Sequence, residues 1–352
     1  MQSDVHTESH TSSDASPPGQ SVRMAVTPPL SQGGTVGQTM QEQAAYAEIA
    51  EPSDAGLMAE ELGALPAVQH LHAAGSYDVY LARRSQVPNC IDEIGRLREV
   101  SFRGVGEGTG LTRDLDEYDD WYQHLLVWDS ETRQILGAYR LGLTDSVLEE
   151  KGPKGLYCNS LFNFNLDFFH RLGPSIELGR SFVRPEFQRS PRVLALLWKG
   201  IGRIVSVKTR YTRLFGPVSV SNTYTEASRQ LMAHELMRHE YRHPLSEYVA
   251  PLRPVQVEQV PAAVTNAQNA LSPKELNRQV AGWEPDGSGV PTLVREYMKL
   301  GGQFLAFSVD PDFGSAMDGL VCVDLNKTPQ RLLSLYMGPE AAEQFRTDRQ
   351  AS

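Results

Sequence analysis

The sequence predicts one large mixed α/β (α+β) domain with a central sheet flanked by helices. The chain has 352 residues, of which 40% are hydrophobic and 22% charged, so it can bury a sizeable core. Strand-like alternation and helix-like periodicity also follow one another along most of its length. Strands interleaved with helices are typical of a sheet covered by helices.

The N-terminal region predicts little ordered structure. Residues 1–45 are rich in Ser, Thr, Pro, Gly and Gln and almost free of aromatic residues, so we expect this segment to be disordered. A helical lead-in, broken near Pro52, is expected over residues 46–74. The main domain should span residues 75–347, with a polar, linker-like insertion at about 252–290.

The first half of the main domain contains one helix and four strands. Tyr77–Ala82 alternates as a strand, and apolar residues recur at helical spacing over Ile91–Phe102. His124–Asp129 and Gln134–Leu143 predict a hairpin joined by the turn SETR. Ser175–Val183 predicts a further strand.

The second half predicts helices alternating with strands. Its elements, in order, are helix Pro191–Val207, strand Leu214–Val220, helix Thr225–Arg238, helix 291–300, the strands GGQFLAF and DGLVCVDL, and a closing helix near Gln330–Leu335.

Composition excludes several classes of protein. The three cysteines form no CxxC pair, so neither a disulfide framework nor a thiolate zinc site is expected. The sequence contains no run of about 18 apolar residues, so no membrane-spanning helix is predicted. The first residues do not resemble a secretory signal. A net charge of −10 disfavours a nucleic-acid binder. We expect a cytoplasmic protein. A peripheral contact with the inner membrane is an open alternative.

Two motifs are set aside. The glycines of Gly104–Gly110 have GxGxGxG spacing and follow a helix, whereas a dinucleotide loop needs GxGxxG after a strand. A mobile loop is the better interpretation. His234 and His239 are five residues apart, which does not place two ligands on one helical face, so no metal is expected.

One stretch reverses the overall charge. Between residues 184 and 213, eight basic residues face one acidic residue, a local charge of +7. This segregation favours docking of an acidic partner or a phosphate, and the alternative is a solvated helix face. The basic residues are Arg184, Arg189, Arg192, Lys199, Arg203, Lys208, Arg210 and Arg213.

An acidic turn carries three closely spaced aspartates, Asp114, Asp116 and Asp119. Carboxylates this close repel one another unless a cation relieves them. A basic substrate, an arginine or a metal would do so. The turn could equally be solvated, or could stabilise a helix N-terminus.

Charged residues also interrupt apolar segments. Arg140 lies in an apolar strand, where an unpaired charge would be costly. Glu177 and Arg180 interrupt another strand, and a β-bulge there would re-aim one of them. Arg98 and Phe102 share a helical face. Glu177 is the first choice for a general base, and the arginines and acids together suggest an internal ion-pair network.

These residues carry a resemblance. Arg-x3-Phe, Asp-x-Asp-x2-Asp, a strand arginine and Glu-x2-Arg, in that order, resemble the acyl-homoserine-lactone synthases. The strings LREVSFRGVGEGTG, ILGAYRLG and IELGRSFVRPEFQR are more similar to hemolysin-like N-acyltransferases of the GNAT superfamily, which include ornithine-lipid and glycine-lipid N-acyltransferases. The resemblance covers about residues 75–345.

The resemblance implies a GNAT-like fold and transfer of a fatty, 3-hydroxy acyl group from acyl carrier protein to the amine of a small amino acid such as ornithine. The product would be a lyso-aminolipid. The donor would be a 4'-phosphopantetheine thioester, with no bound cofactor. By match to the family's glutamate, Glu177 would accept the amine proton. The matched substrate-binding residues are Arg98, Phe102, Asp114, Asp116, Asp119, Arg140 and Arg180.

The acyl donor is expected to be a carrier protein because the loop FQRSPRV lacks the glycines that cradle a coenzyme A pyrophosphate. Pro191 in this loop also has no backbone N–H to donate to a phosphate. Opposite charge would steer an acidic carrier to the basic stretch. The docking residues are Arg184, Arg189, Arg192, Lys199 and Arg203. Two alternatives remain: an autoinducer synthase that uses S-adenosylmethionine as acceptor, and a non-catalytic GNAT scaffold that binds acyl chains or carrier.

Overall fold

The computed structural model describes residues 46–350, where an eight-stranded mixed sheet is flanked by helices. The predicted fold class is confirmed, while the segment 1–45 lies outside the described residues. The strands are β1 His70–Ala74, β2 Tyr77–Arg83, β3 Gln123–Asp129, β4 Gln134–Leu143, β5 Phe162–Phe164, β6 Ser175–Val183, β7 Arg213–Val220, β8 Val249–Pro251, β9 Gln303–Asp310 and β10 Ala316–Asp324. The helices are α1 Ala55–Gly63, α2 Pro88–Arg103, α3 Thr144–Lys151, α4 Phe168–Leu172, α5 Arg192–Val207, α6 Glu226–Leu236, α7 Ala262–Thr265, α8 Pro273–Trp283, α9 Thr292–Lys299, α10 Gln330–Met337 and α11 Pro339–Gln350.

The sheet is incomplete between β6 and β7, its fifth and sixth strands. Its order is β1-β2-β3-β4-β6-β7-β10-β9, and β5 pairs separately with β8. Neighbouring strands of the large sheet are antiparallel, apart from the parallel pair β6 and β7. That pair joins only Ser175–Glu177 to Arg213–Phe215, although both strands continue beyond it. The unpaired halves of β6 and β7 therefore form the two walls of a gap in the sheet.

Helices α2 and α5 cover opposite faces of the sheet. Side chains alternate between faces along a strand. In β3, Leu125 and Val127 pack in one apolar cluster with α5, whereas Leu126 and Trp128 pack in another with α2. The gap between β6 and β7 therefore connects the α2 side with the α5 side.

The predicted bulge in β6 is present. Opposite β4, Ala138 pairs with Phe182 and Arg140 pairs with Gly179, so β6 holds an additional residue in this interval. Arg180 lies in the bulge with a φ of 46°, a left-handed conformation that is uncommon for residues other than glycine. The bulge re-aims the Arg180 side chain.

The sequence-based boundaries need three corrections. The lead-in is not helical throughout, because it ends in strand β1, which pairs with β2. The linker-like insertion at 252–290 instead contains α7 and α8, and α8 begins with a capping box between Ser272 and Glu275. Helix α11 follows the predicted closing helix. Short helices with polar exposed faces gave weak periodicity in these regions.

The other predicted helices and strands of the main domain are confirmed close to their expected bounds. Within residues 46–350, no helix combines the length and the hydropathy needed to cross a bilayer.

Candidate active site

A cavity of about 490 Å³ occupies the gap between β6 and β7. On the α2 side it is lined by Phe102, Glu107 and Arg180. On the α5 side it is lined by Trp198 and by Leu293 of α9. A single cavity therefore passes through the sheet, with charged groups on one side and mainly apolar groups on the other.

The predicted ion-pair network is present behind this cavity. Arg98 Nη1 donates to Asp119 Oδ1 at 2.9 Å, and Arg140 Nη1 lies 3.3 Å from the same oxygen. Arg140 also bonds Asp116. The side chains of Arg98, Arg140 and Asp119 are fully buried. The acidic turn is therefore relieved by arginines of the protein itself.

Ion pairs with buried arginines determine the pKa of the aspartate at the centre of this network. Burial alone would raise the pKa of Asp119, but Arg98 and Arg140 hold it well below its usual range. The guanidinium of Arg140 additionally lies over the rings of Tyr118, Tyr122 and Tyr157, with its carbon 5.2–5.4 Å from their centroids.

Arg180 links the network to the cavity. Its Nε lies 3.2 Å from Asp114 Oδ2, and its Nη1 donates to Tyr157 Oη at 2.9 Å. The guanidinium carbon lies 4.8 Å from the Tyr157 ring centroid and 4.6 Å from that of Phe313. These contacts fix the arginine while leaving it on the cavity wall.

The predicted substrate-binding residues thus divide into two groups. Phe102 and Arg180 line the cavity. The others lie outside its lining, within the network that holds Arg180. They are Arg98, Asp114, Asp116, Asp119 and Arg140.

Glu177 lies outside the cavity lining, and protein donors occupy its carboxylate. The carboxylate accepts hydrogen bonds from the Tyr122 hydroxyl, from Cys158 N at 2.6 Å and from Tyr157 N at 3.2 Å. Burial raises its pKa, although these hydrogen bonds act against that rise. In this placement the Glu177 carboxylate holds the backbone N–H groups of Tyr157 and Cys158, and its role as a general base stays a prediction.

Three carboxyl groups do line the cavity. Two of them, Glu107 and Asp318, are each only 5% exposed, and the third, Glu296 of α9, pairs with Lys299 at 2.6 Å. Glu107 Oε2 accepts a 3.0 Å hydrogen bond from Ser219 Oγ, and Ser219 is the direct partner of Asp318 across β7 and β10. Burial raises the pKa of Glu107 to about 7. Burial, with Asp310 and Glu107 nearby, raises the pKa of Asp318 well above its usual range.

The sequence contained a signal for both acids. Glu107 is the one charged residue within GVGEGTG, and Asp318 begins the otherwise apolar string DGLVCV. An acid in such a setting is either solvated or functional, and only the fold shows that these two converge.

Contacts with β7 and with the β9–β10 turn hold the loop that carries Glu107. Ser221 Oγ donates to Val105 O, and Asn222 Nδ2 donates to Gly314 O at 2.5 Å. A Cβ atom at Gly314 would lie 1.9 Å from Gly106 O, so this approach requires glycine. These contacts favour a fixed loop over the mobile loop that its glycines suggested.

The comparisons with known proteins agree with this geometry. Residues 97–199 match the family described as an acetyltransferase (GNAT) domain. The glycine N(alpha)-acyltransferase of Bacteroides thetaiotaomicron is 34% identical over 265 residues, which cover 70% of this chain and 77% of that protein. The chain belongs to the GNAT N-acyltransferase family.

Two further comparisons concern more distant proteins. The L-ornithine N(alpha)-acyltransferase of Agrobacterium fabrum is 28% identical to this acyltransferase over 251 residues, covering 69% of this chain and 78% of that protein. The solved CoA-dependent acyl-homoserine lactone synthase BjaI is 12% identical, covers 76% of this chain and 98% of its own, and has a TM-score of 0.34.

The basic stretch of this acyltransferase includes both engaged and free side chains. Arg184 donates to Gln134 and pairs with Glu186, while Arg192 donates to Ala74 O and stacks on Tyr77. Arg189 and Arg203 are exposed, Lys199 is half-buried, and these three make no ion pair with the described part of the chain. Arg189 also lies on the cavity wall.

The aromatic residues between Tyr157 and Phe169, which precede β6, belong mainly to the core of this acyltransferase. Tyr157 lines the cavity, whereas Phe162 and Phe168 are fully buried in a separate apolar cluster with Leu305 and Leu320. Both phenylalanines are therefore part of the core and do not line the cavity.

Proposed function

We propose that this N-acyltransferase transfers a fatty, 3-hydroxy acyl group from acyl carrier protein to the α-amine of a small amino acid, forming a lyso-aminolipid. The observation that carries the proposal is the presence of a cation, Arg180, and two carboxyl groups, Glu107 and Asp318, on one half of the cavity. A free amino acid carries a carboxylate and an ammonium, so it requires both signs of charge in its site.

The acceptor would bind on the α2 side of the sheet. The Nη2 atom of Arg180 has one ion-pair contact in the described chain, Asp116 at 3.8 Å. This nitrogen therefore retains donors for a substrate carboxylate. The names of two relatives, which specify glycine and L-ornithine as acceptors, support an acceptor of this kind.

The acyl chain would bind on the α5 side, where the cavity is mainly apolar. Leu194, Trp198, Leu293 and Tyr297 line this half, and the Trp198 and Tyr297 ring centroids are 5.5 Å apart. Apolar walls of this kind bind alkyl chains by removing them from water. The thioester carbonyl would then lie in the gap, within reach of backbone N–H groups at the bulge in β6, which would stabilise negative charge on its oxygen.

A carrier protein fits the surface next to this half better than a free nucleotide does. The loop before α5 contains no glycine, and Pro191 at its end has no N–H, so the loop is poorly suited to cradle a pyrophosphate. Arg189 lies on the cavity wall and Arg203 is exposed on α5, so free cations face any partner that delivers a thioester there.

The test is an acyl-transfer assay with purified protein. 3-Hydroxypalmitoyl carrier protein is offered with glycine, L-ornithine or S-adenosylmethionine, and the products are measured by mass spectrometry alongside the free thiol. We expect an N-acyl amino acid and an equal amount of thiol. A homoserine lactone product would instead establish a signal synthase, and carrier binding with no product from any amine would establish a non-catalytic scaffold.

Two matched comparisons sharpen this assay. 3-Hydroxypalmitoyl-CoA in place of the carrier thioester tests the donor, and equal rates with both would contradict carrier dependence. Arg180→Gln is expected to raise KM for the amino acid at least tenfold, whereas Arg331→Gln, which alters an exposed cation on α10, should leave it unchanged.

A further inference from the structure

We propose that Glu107 is the general base that accepts the proton of the acceptor's ammonium group. This inference rests on the proposed function and assigns the proton transfer to a residue of the glycine-rich loop. The sequence motifs had instead pointed to Glu177.

Geometry favours Glu107. Its carboxylate is on the cavity wall, on the same half as Arg180. Within residues 46–350 its one hydrogen-bond donor is Ser219, which bonds Oε2, so Oε1 is available to an amine. Glu177, by contrast, accepts three hydrogen bonds from protein donors and does not line the cavity.

The site is built to keep this carboxylate in one position. The backbone N–H of Glu107 donates to Phe102 O at 2.8 Å, which ties the residue to the end of α2. Thr109 and Gly110, which follow it, donate to the buried carboxylate of Glu99. A base fixed in this way needs no rearrangement when the acceptor binds.

The charged and titratable groups around Glu107 come from five parts of the chain. Arg180 of β6, Asp318 of β10 and Tyr224 after β7 interact with Glu107 itself, whereas Asp310 of β9 and Tyr157 before β5 interact with Asp318. Burial raises the pKa of Glu107 to about 7, against the opposing effects of the Ser219 hydrogen bond and Arg180. A base with a pKa near the working pH is ionised yet still basic enough to take a proton.

Asp318 has a different electrostatic environment in the same cavity. Burial and the neighbouring acids Asp310 and Glu107 raise its pKa well above the usual range, which favours its protonated form. Two carboxyl groups whose environments separate their pKa values can hold distinct roles. On this half of the cavity, Glu107 is therefore the carboxyl group assigned to meet the ammonium, while Glu296 of α9 lies on the α5 side and pairs with Lys299.

The reaction balances with these groups. Glu107 takes one proton from the ammonium, and the freed amine lone pair attacks the thioester carbonyl carbon. The tetrahedral intermediate collapses as the C–S bond breaks, and the sulfur leaves with its electron pair. The nitrogen loses a second proton, the thiolate gains one to become a thiol, and Glu107 returns its proton to water. The net products are amide, thiol and one proton.

The experiment compares pH profiles of wild-type protein and Glu107→Gln, with saturating 3-hydroxypalmitoyl carrier protein and glycine as acceptor. For the wild type, kcat/KM for glycine should rise with pH to a midpoint near 7 and then level off. Glu107→Gln should lower kcat/KM at pH 7.5 by about 100-fold or more. Its remaining rate should follow the ionisation of glycine's own amine, without a midpoint near 7.

A second acceptor separates loss of a base from general damage. Glycinamide has a less basic amine than glycine, so more of it is already unprotonated and the base matters less. The ratio of wild-type to Glu107→Gln rates should therefore shrink with glycinamide. Glu131→Gln, in the exposed turn between β3 and β4, is the matched control and should behave as wild type.

The outcomes are distinguishable. If Glu107→Gln keeps more than a third of wild-type kcat/KM and the midpoint near 7, the base assignment is overturned while the acyltransferase proposal stands. If the wild type itself acylates neither glycine nor ornithine, the proposed function fails. Should Glu107→Gln not fold, Ser219→Ala decides, because a midpoint that it leaves unmoved contradicts the assignment.

Discussion

Ser219 Oγ donates a 3.0 Å hydrogen bond to Glu107 Oε2, joining the glycine-rich loop after α2 to strand β7. The two residues are 112 positions apart in the chain, and Ser219 also lies directly across from Asp318 in β10. The bond is therefore the point at which the acidic half of the cavity is assembled from three separate segments.

Removing that bond should move the pH dependence of acyl transfer. The Ser219 hydrogen bond lowers the pKa of Glu107, so Ser219→Ala should raise that pKa and shift the rising limb of kcat/KM to higher pH. The plateau rate should change much less than the midpoint. Steady-state assays from pH 5.5 to 9 measure both, with Ser130→Ala in the exposed β3–β4 turn as control.

Glu107 should also make the protein less stable as the pH rises. The folded pKa of about 7 lies above the ordinary value of 4.5, so the folded state binds the proton more tightly than the unfolded state. The associated stability is present below pH 4.5 and is lost as pH rises through 7. The difference in Tm between Glu107→Gln and wild type, measured by calorimetry, should therefore be more positive at pH 8 than at pH 4.5. A pH-independent difference, as expected for Glu131→Gln, would contradict this.

Glu177→Gln should damage the fold and the rate together, without moving the pH midpoint. A glutamine turns one acceptor oxygen into a donor that faces the backbone N–H groups of Tyr157 and Cys158. Leaving such buried groups unpaired costs about 2 kcal/mol of unfolding free energy. Urea unfolding and pH–rate profiles test this. If the midpoint near 7 disappears in Glu177→Gln and persists in Glu107→Gln, Glu177 is the base.

The network behind Arg180 should be sensitive to the loss of one charge. Asp119→Asn leaves the buried guanidinium groups of Arg98 and Arg140 short of a counter-charge, which should lower the free energy of unfolding by about 3 kcal/mol. Asp120→Asn is the neighbouring control, because Asp120 pairs with Arg84 at the surface and such pairs contribute about 1 kcal/mol or less. Equal losses in urea unfolding would contradict a buried network.

Charge reversal at the proposed docking surface should weaken use of the carrier substrate. Arg189→Glu combined with Arg203→Glu is expected to raise KM for acyl carrier protein about tenfold or more and to reduce the dependence of KM on salt. Their side chains are exposed and make no ion pair with residues 46–350, so stability should be retained. Arg331→Glu on α10 is the control. An unchanged KM in the double variant would make this stretch an ordinary solvated face.

The sequence predicted the charged network better than the cavity. Arg140 was recognisable because a charge in an apolar strand must be paired, and the three aspartates because carboxylates so close together repel one another. Arg98 was singled out by its helical face and its place in the motif, and the bulge at Arg180 followed from the spacing of Glu177 and Arg180. Spacing within a strand or a turn is local information, and local patterns survive in the sequence.

The acids of the cavity could not be grouped in this way. Glu107, Ser219 and Asp318 belong to segments that meet only after β7 and β10 have paired. Strand β1 and helix α8 were missed for a different reason, since β1 is short and has no fully buried residue, and α8 buries only three of its eleven residues. Both lack a long apolar pattern, although the capping box at the start of α8 is a local signal in the sequence.

The three residue pairs between β6 and β7 have a mechanical consequence. They are the seam between two blocks of sheet, one of five strands, β1-β2-β3-β4-β6, and one of three, β7-β10-β9. A molecule bound in the gap contacts both blocks at once and links them across the short β6–β7 pairing. Occupancy by substrate or product therefore ties the halves of the enzyme together, and the fold resists unfolding most while it is loaded.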